Sequence, residues 1–175
     1  MNHTPLPILQ TERLTLRALN PEDETAIYEL RTDPEVNKYL DRKLCTHLKE
    51  ASIFIEKINK SIAESNTFYW GISFTGSKEV LGTICLFDFS SIENSYEIGF
   101  ELRSKYQKQG IMFEATQKIV DFTFNHLKAT KIKAFTHLKN TSSIQLLEKI
   151  NFKEITTTSK DNNELKGFVR HSNTH

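Results

Sequence analysis

Between Tyr96 and His126 the apolar residues change their period, and the change falls at a single glycine. Upstream, Tyr96, Ile98, Phe100 and Leu102 alternate with Glu97, Gly99, Glu101 and Arg103, the period of two that sends side chains to opposite faces of a strand. Downstream of Gly110, the residues Met112, Ala115, Ile119, Phe122 and His126 recur at threes and fours, one face of a helix. The next apolar run, Lys131–Leu138, again reads as a strand. A strand, a crossover helix and a second strand bury their apolar faces together in one layered arrangement, so the chain is an α/β domain.

The remaining segments fit that frame. Arg13–Leu19 alternates like a half-buried strand, and Asn20-Pro21-Glu22-Asp23 supplies a cap, a first-turn proline and first-turn acids for a helix ending near Asp33-Pro34. A second helix is expected from about Thr46, with Leu48, Ala51, Ile55, Ile58 and Ile62 in one stripe. Strands are expected at Phe68–Phe74, Val80–Phe89 and Tyr96–Leu102, a short helix at Thr141–Ile150, and two closing strands around Lys160-Asp161-Asn162-Asn163. The order β-α-α-β-β-β-α-β-α-β-β describes a mixed sheet, with hairpins in its first half and crossovers in its second.

Composition narrows the function classes. With 175 residues, the chain is expected to form one domain over 1–175, with Ser172–His175 a frayed tail. Lys and Arg number 23 against 22 Asp and Glu, a net charge of +1, which offers no general attraction to nucleic acid or an acidic membrane. Met1–Gln10 lacks the pattern of a signal peptide, no stretch approaches a membrane span, and Cys45 and Cys85 form no disulfide scaffold, so a reducing cytoplasm is the expected compartment. His171 and His175 read as surface residues, and no metal-ligand spacing is present.

The segment around Gly110 carries the chemistry. A helix N-terminus presents unpaired N–H groups and partial positive charge, and a glycine lets an anion approach them. Lys108, and to a lesser extent Lys105, would add charge there. One glycine before a helix is equally a feature of ordinary loops. A nucleotide-binding phosphate loop would need more glycine or a Gly-Lys-Ser/Thr, which is absent.

Five segments together carry a family resemblance. Gln107-Lys-Gln-Gly110-Ile-Met112 resembles the Gln/Arg-x-x-Gly-x-Gly/Ala motif of GNAT-superfamily N-acetyltransferases. Asn140-Thr-Ser-Ser143-Ile-Gln-Leu-Leu-Glu-Lys-Ile-Asn-Phe152 is similar to the family's Asn-x-x-Ser-x-x-x-x-Glu-Lys-x-Gly-Phe signature. Thr11–Arg17 and Asp33–Leu40, with Glu97-Ile-Gly-Phe100, resemble the branch that acetylates the N-terminal alanine or serine of ribosomal proteins. Met112 stands where the family has Gly or Ala, Lys108 where this branch often has Gly, and Asn151 where Gly precedes the final Phe. Met112 keeps its backbone N–H, so its side chain must join the apolar stripe, and Asn151 suits the left-handed conformation of helix ends.

The resemblance implies a mostly antiparallel sheet of about seven strands with helices on both faces, splayed between the fourth strand (Tyr96–Leu102) and the fifth (Lys131–Leu138) by a bulge. It implies direct transfer of the acetyl group of acetyl-CoA to a primary amine, either a protein N-terminus or a small molecule, without a metal and with a possible homodimer. Gly99 and Phe100 would hold the thioester. Gln107, Lys108, Gln109, Gly110, Ile111 and Met112 would hold the pyrophosphate, with Asn140 and Ser143 near the pantetheine arm.

Proton transfers need their own groups. Glu97 and Glu101 share the polar face of their strand and are the candidate bases, unless that face is simply solvated. The chain has no tyrosine after Tyr106 to serve as acid. Ser143 is the substitute, with a helix-capping hydroxyl as its plain alternative and bulk water as the acid if no side chain serves. Tyr39, Tyr69, Trp70 and Phe87 are candidate walls of the acceptor pocket, although strand aromatics more often belong to the core. The competing function is a non-catalytic acyl-CoA-binding or interaction module, which Met112 and the missing tyrosine favour.

Overall fold

The computed structural model describes residues 5–64, 67–156 and 164–172. Alternation builds one eight-stranded sheet in the order β1-β2-β3-β4-β5-β6-β8-β7. The strands are β1 (Leu9–Gln10), β2 (Leu14–Arg17), β3 (Phe68–Phe74), β4 (Gly82–Ser90), β5 (Ser95–Leu102), β6 (Lys131–His137), β7 (Lys153–Ile155) and β8 (Leu165–His171). Every neighbouring pair is antiparallel except β5 and β6, which run parallel because the helix between them is a crossover. The expected count of about seven becomes eight through β1, two residues too few to show a period.

The helices are α1 (Glu24–Thr32), α2 (Pro34–Asn37), α3 (Leu48–Glu64), α4 (Ile111–Asn125) and α5 (Thr141–Lys149). Before α1, Asn20 caps a 3-10 turn, with Asp23 bonding back to the Asn20 N–H at 2.8 Å. Asp33 ends α1 and at once caps α2, a short helix not expected from the sequence, accepting from the Glu35 N–H at 2.8 Å. In α3, Ala51 and Ile55 are buried with Ile58 and Ile62 packed beside them, but Leu48, expected in the stripe, is exposed at the helix start.

Both faces of the sheet are covered. Alternate residues of the central strands, among them Leu14, Trp70, Ile84, Leu86 and Ile98, pack with Ile111, Met112, Ala115 and Ile119 of α4 and Leu147 of α5. The opposite face packs Tyr69 and Val80 against Ile27, Leu30, Ala51 and Ile55 of α1 and α3. At the far edge, Asn151 follows α5 at φ +64°, the left-handed cap expected of it. The Lys160-Asp161-Asn162-Asn163 turn lies outside the described residues, but β8 pairs with β6 along its whole length. Ser172, expected to fray, donates its N–H to the Thr130 carbonyl at 2.9 Å, while residues 173–175 lie outside the described set.

Candidate functional site

The parallel ladder between β5 and β6 matches only Ser95 with Lys131, Tyr96 with Ile132 and Glu97 with Lys133. Beyond that point β5 continues to Leu102 against β4 alone, and β6 continues to His137 against β8 alone. The two strands therefore part in a V, the splay expected between the fourth and fifth strands, renumbered by β1. Along Ile98–Leu102 the edge facing β6 has no strand partner, which leaves backbone groups free for a ligand. The bulge is not in this strand. Register with β4 is unbroken from Gly82–Leu102 to Phe87–Glu97, and the irregularity lies in β4 between Phe87 and Ser90, where Asp88 takes φ +49°. The parity of Glu97, Gly99 and Glu101 on one face is thus preserved.

The loop after β5 is built to expose its backbone. The Gln107 side chain donates to the Leu102 carbonyl at 3.1 Å, and that of Gln109 to the Lys105 carbonyl at 3.0 Å. Lys108 and Gly110 both take the left-handed conformation, at φ +61° and +76°. Lys108 holds the conformation for which the resembling branch uses Gly. Ile111 and Met112 turn their side chains into the core against the sheet, so the larger residue at 112 leaves the loop surface clear. Among the described residues, no backbone N–H from Lys108 to Phe113 donates to a protein acceptor. Six consecutive free donors at a helix N-terminus can receive the oxygens of an anion such as a phosphate group. Lys108 is exposed beside it, whereas Lys105 is drawn to Glu79 at 3.2 Å.

The two carboxylates of β5 differ. Burial pushes the Glu97 carboxyl up to about 7; Asp88 adds to the rise and Lys133 opposes it. Glu101 is held in an ion pair, Oε2 standing 2.7 Å from Nη2 of Arg42, with its side chain 10% exposed. At Gly99 between them a Cβ would be tight, 3.2 Å from Cys85 Sγ and 3.3 Å from the Phe87 ring, so either side chain would have to shift by a few tenths of an ångström. Phe87 is thereby placed over Gly99, on the face shared by the two carboxylates. Burial also pushes the Cys85 thiol up to about 12, so it is a packed hydrophobe and no nucleophile.

Other expected residues fall in different places. Trp70 is fully buried on the opposite face, its indole N–H donating to the Pro7 carbonyl at 2.9 Å, and it does not reach the V. Tyr69 lies in the core beneath the α1–α3 face, its hydroxyl donating to Thr83 Oγ1 at 3.0 Å. Phe100 points to the α4 side, partly buried against that core. Asn140, and not Ser143, caps α5, accepting from the Ser143 N–H at 3.2 Å, so the capping role considered for the Ser143 hydroxyl belongs to its neighbour. Ser143 stays half-buried in the first turn, beyond the open end of β6. Tyr39 does reach the V, stacking on His137 at the end of β6 with ring centroids 5.1 Å apart.

Asp88, Lys133, Arg42 and His137 were not picked out from the sequence. Each meets its partner through register or chain reversal, which periodicity does not report. Arg13 was also missed: its Nε meets Glu114 at 2.7 Å and its Nη1 donates to the Gln109 carbonyl at 3.2 Å, bracing the loop against β2. Among the described residues there is no cluster of metal-ligating side chains, and no helix is long and apolar enough to cross a membrane.

Known proteins share this fold. A family model described as an acetyltransferase (GNAT) domain matches residues 13–153. The chain is 35% identical over 147 residues to a protein of Bacillus licheniformis named uncharacterized N-acetyltransferase p20, covering 83% of this chain and 82% of that one. Its fold is similar to the microcin C7 self-immunity acetyltransferase MccE, solved in complex with acetyl-CoA and AMP, at a TM-score of 0.82 and 15% identity over 97% of this chain and 98% of that one. It is also similar to RimL, a ribosomal L7/L12 alpha-N-protein acetyltransferase, at a TM-score of 0.79 and 17% identity over 95% and 94% of the two chains.

Proposed function

The chain belongs to the GNAT family of acetyltransferases and is an enzyme of that class, and on that premise we propose that it moves the acetyl group of acetyl-CoA directly to a primary amine in the V between β5 and β6. The observation that carries this reading is the run of unclaimed N–H groups from Lys108 to Phe113 beside the unpaired edge of β5. A pyrophosphate on the first and an extended amide-bearing arm along the second is what these two features fit.

Acetyl-CoA supplies an activated acetyl thioester. The backbone N–H groups of 108–113 and the Lys108 ammonium bind its pyrophosphate, and Asn140 and Ser143 at the start of α5 border the arm. Backbone groups at Gly99 and Phe100 hold the thioester and offset the charge that builds on its oxygen. Glu97, ionising near neutral pH, takes the proton of the substrate ammonium through an ordered water, so that the amine can attack the acetyl carbon. The nitrogen gives up its second proton to water as the C–S bond breaks, and the thiolate takes a proton from the Ser143 hydroxyl, which water reprotonates, or from water directly. Glu101, committed to Arg42, is set aside as base. The acceptor is a protein N-terminus, as the name of RimL states for that protein, or a small amine.

Calorimetric titration of acetyl-CoA and CoA into the wild type and Gly110→Asp tests the reading. The added carboxylate would face the pyrophosphate, so binding by the wild type should be lost in the variant. Thiol release with a panel of amines then reports turnover. Failure of the wild type to bind either ligand overturns the reading, and binding without turnover on any amine replaces it with that of an acyl-CoA-binding module.

A further inference from the structure

The segment between α2 and α3 touches both arms of the V. From its middle, Arg42 pairs with Glu101 on β5 at 2.7 Å, while Tyr39 stacks on His137 at the open end of β6. Both contacts lie on one face of the sheet: Glu101 shares the parity of Glu97, and His137 that of Lys133, which β5 and β6 match side by side.

The two ends of this segment are fixed to α1. Asn37 is buried and donates to the carbonyls of Leu30 and Asp33, both at 2.8 Å, and its own oxygen accepts from Arg42 Nε at 2.6 Å. Farther on, the Cys45 N–H donates to the Arg31 carbonyl at 3.1 Å. Between these anchors the backbone makes only two internal bonds, from Leu40 to Asn37 and from Arg42 to Leu40. A segment with fixed ends and few backbone bonds of its own takes its position from its side-chain contacts.

We propose that residues 38–45 form a strap across the V, with Arg42–Glu101 as its fastening and Tyr39–His137 as its second foot. Arg42 and Glu101 are then positioning residues. They set the aperture by which the amine enters and keep water from the thioester, and they take no part in proton transfer. This assignment rests on the acetyl-transfer reading for its consequence, but the strap itself is a property of the fold. The fastening is an ion pair between a carboxylate on the polar face of β5 and a guanidinium that is always charged, both side chains partly buried.

Two measurements on Glu101→Gln and Arg42→Gln test it. Amide hydrogen exchange should rise by about tenfold or more at the hydrogen-bonded N–H groups of Leu40, Arg42 and Cys45, with α3 and β3–β5 unchanged. Thiol release from acetyl-CoA without added amine, where water attacks the acetyl carbon to give acetate and CoA thiol, should rise several-fold at unchanged CoA affinity. A rate that stays level or falls in both variants overturns the role of the strap in excluding water. Unchanged exchange in both variants overturns the strap, and so does a hydrolysis rate that falls in Glu101→Gln but not in Arg42→Gln, which would return Glu101 to the base role. If either variant fails to fold, Tyr39→Ala, at a half-exposed ring, must show the same rise in exchange. Wild-type protein that does not bind CoA would overturn the proposed function alone, because exchange reads the strap without ligand.

Discussion

Glu97 and Lys133 are the last residues that β5 and β6 match before the strands part. At that vertex the carboxyl is shielded from water, and the lysine that could compensate it is shared, since its ammonium also bonds Glu93. Burial therefore outweighs attraction, and the carboxyl moves up to about 7. Two residues along the same face, Glu101 meets an arginine instead. One strand thus carries two carboxylates on one face in different environments, one buried and the other ion-paired.

The first prediction concerns pH. If Glu97 is the base, kcat/KM rises through about pH 7 as the carboxyl ionises, and Glu97→Gln removes this limb and lowers the rate by about 10²–10⁴-fold. The sign for stability is opposite. A carboxyl raised in the fold contributes stability that is complete below its ordinary value of 4.5 and is lost as pH rises through about 7. Melting temperatures of the wild type should fall between pH 5 and pH 8 relative to those of Glu97→Gln. Parallel curves for the two proteins would contradict the shift.

The neighbours of Glu97 should move its titration in opposite directions. Asp88, held at φ +49° by the bulge in β4, raises it, so Asp88→Asn shifts the pH–rate midpoint down. Asparagine tolerates the same backbone conformation, which keeps the bulge intact. Lys133 lowers it, so Lys133→Met shifts the midpoint up. A midpoint that stays fixed in both variants would assign the limb to another group.

Much of the frame was legible because period reports local geometry. The switch at Gly110 located β5 and α4 within a residue, and Asn151 announced a left-handed cap. What escaped was either too short or too distant. Leu9–Gln10 and Pro34–Asn37 are too short to repeat a period, and the bulge hides within the run Phe87-Asp88-Phe89, which reads as smooth alternation. Trp70 looked like a possible wall because strand parity alone does not say which face meets the cleft. Arg42 with Glu101, and Tyr39 with His137, meet only because the chain folds back over the V, and no local pattern records such pairings.

The two left-handed residues of the loop should respond with opposite signs. Lys108→Gly relieves a strained residue at φ +61°, and after the entropy that glycine adds to the unfolded chain the gain is about 0.5 kcal/mol. The melting point then rises by about 1–2 °C while CoA binding weakens through loss of the ammonium. Gly110→Ala forces a Cβ to φ +76°, 3.4 Å from Arg13 Nη2, and costs about 1 kcal/mol, or about 2–4 °C. Thermal melts and calorimetry on the two variants check both signs, and a loss of stability in Lys108→Gly would refute the strain argument.

Arg103 governs how firmly the loop is seated. It follows β5 directly and is buried, with Nη1 2.8 Å from Glu79 Oε1 and 3.0 Å from the Val80 carbonyl, and Nη2 bonded to Glu29 of α1. Arg103→Met keeps most of the volume but leaves that carbonyl without a donor, at a cost of about 1–3 kcal/mol. The two glutamates are half exposed, so water solvates them once the arginine is gone. Glu79 adds an acid-side signature. Its carboxyl is held down to about 2, chiefly by the Tyr106 hydroxyl and then by Lys105 and Arg103. A depressed carboxylate contributes stability that is complete above 4.5 and is lost as pH falls through about 2. Tyr106→Phe should therefore reduce the acid-side loss more than Arg103→Met does, although the latter lowers the melting point more at neutral pH. Melts at pH 7 and pH 3 separate the two effects, and equal acid sensitivity in both variants would show that the hydroxyl is not the main cause.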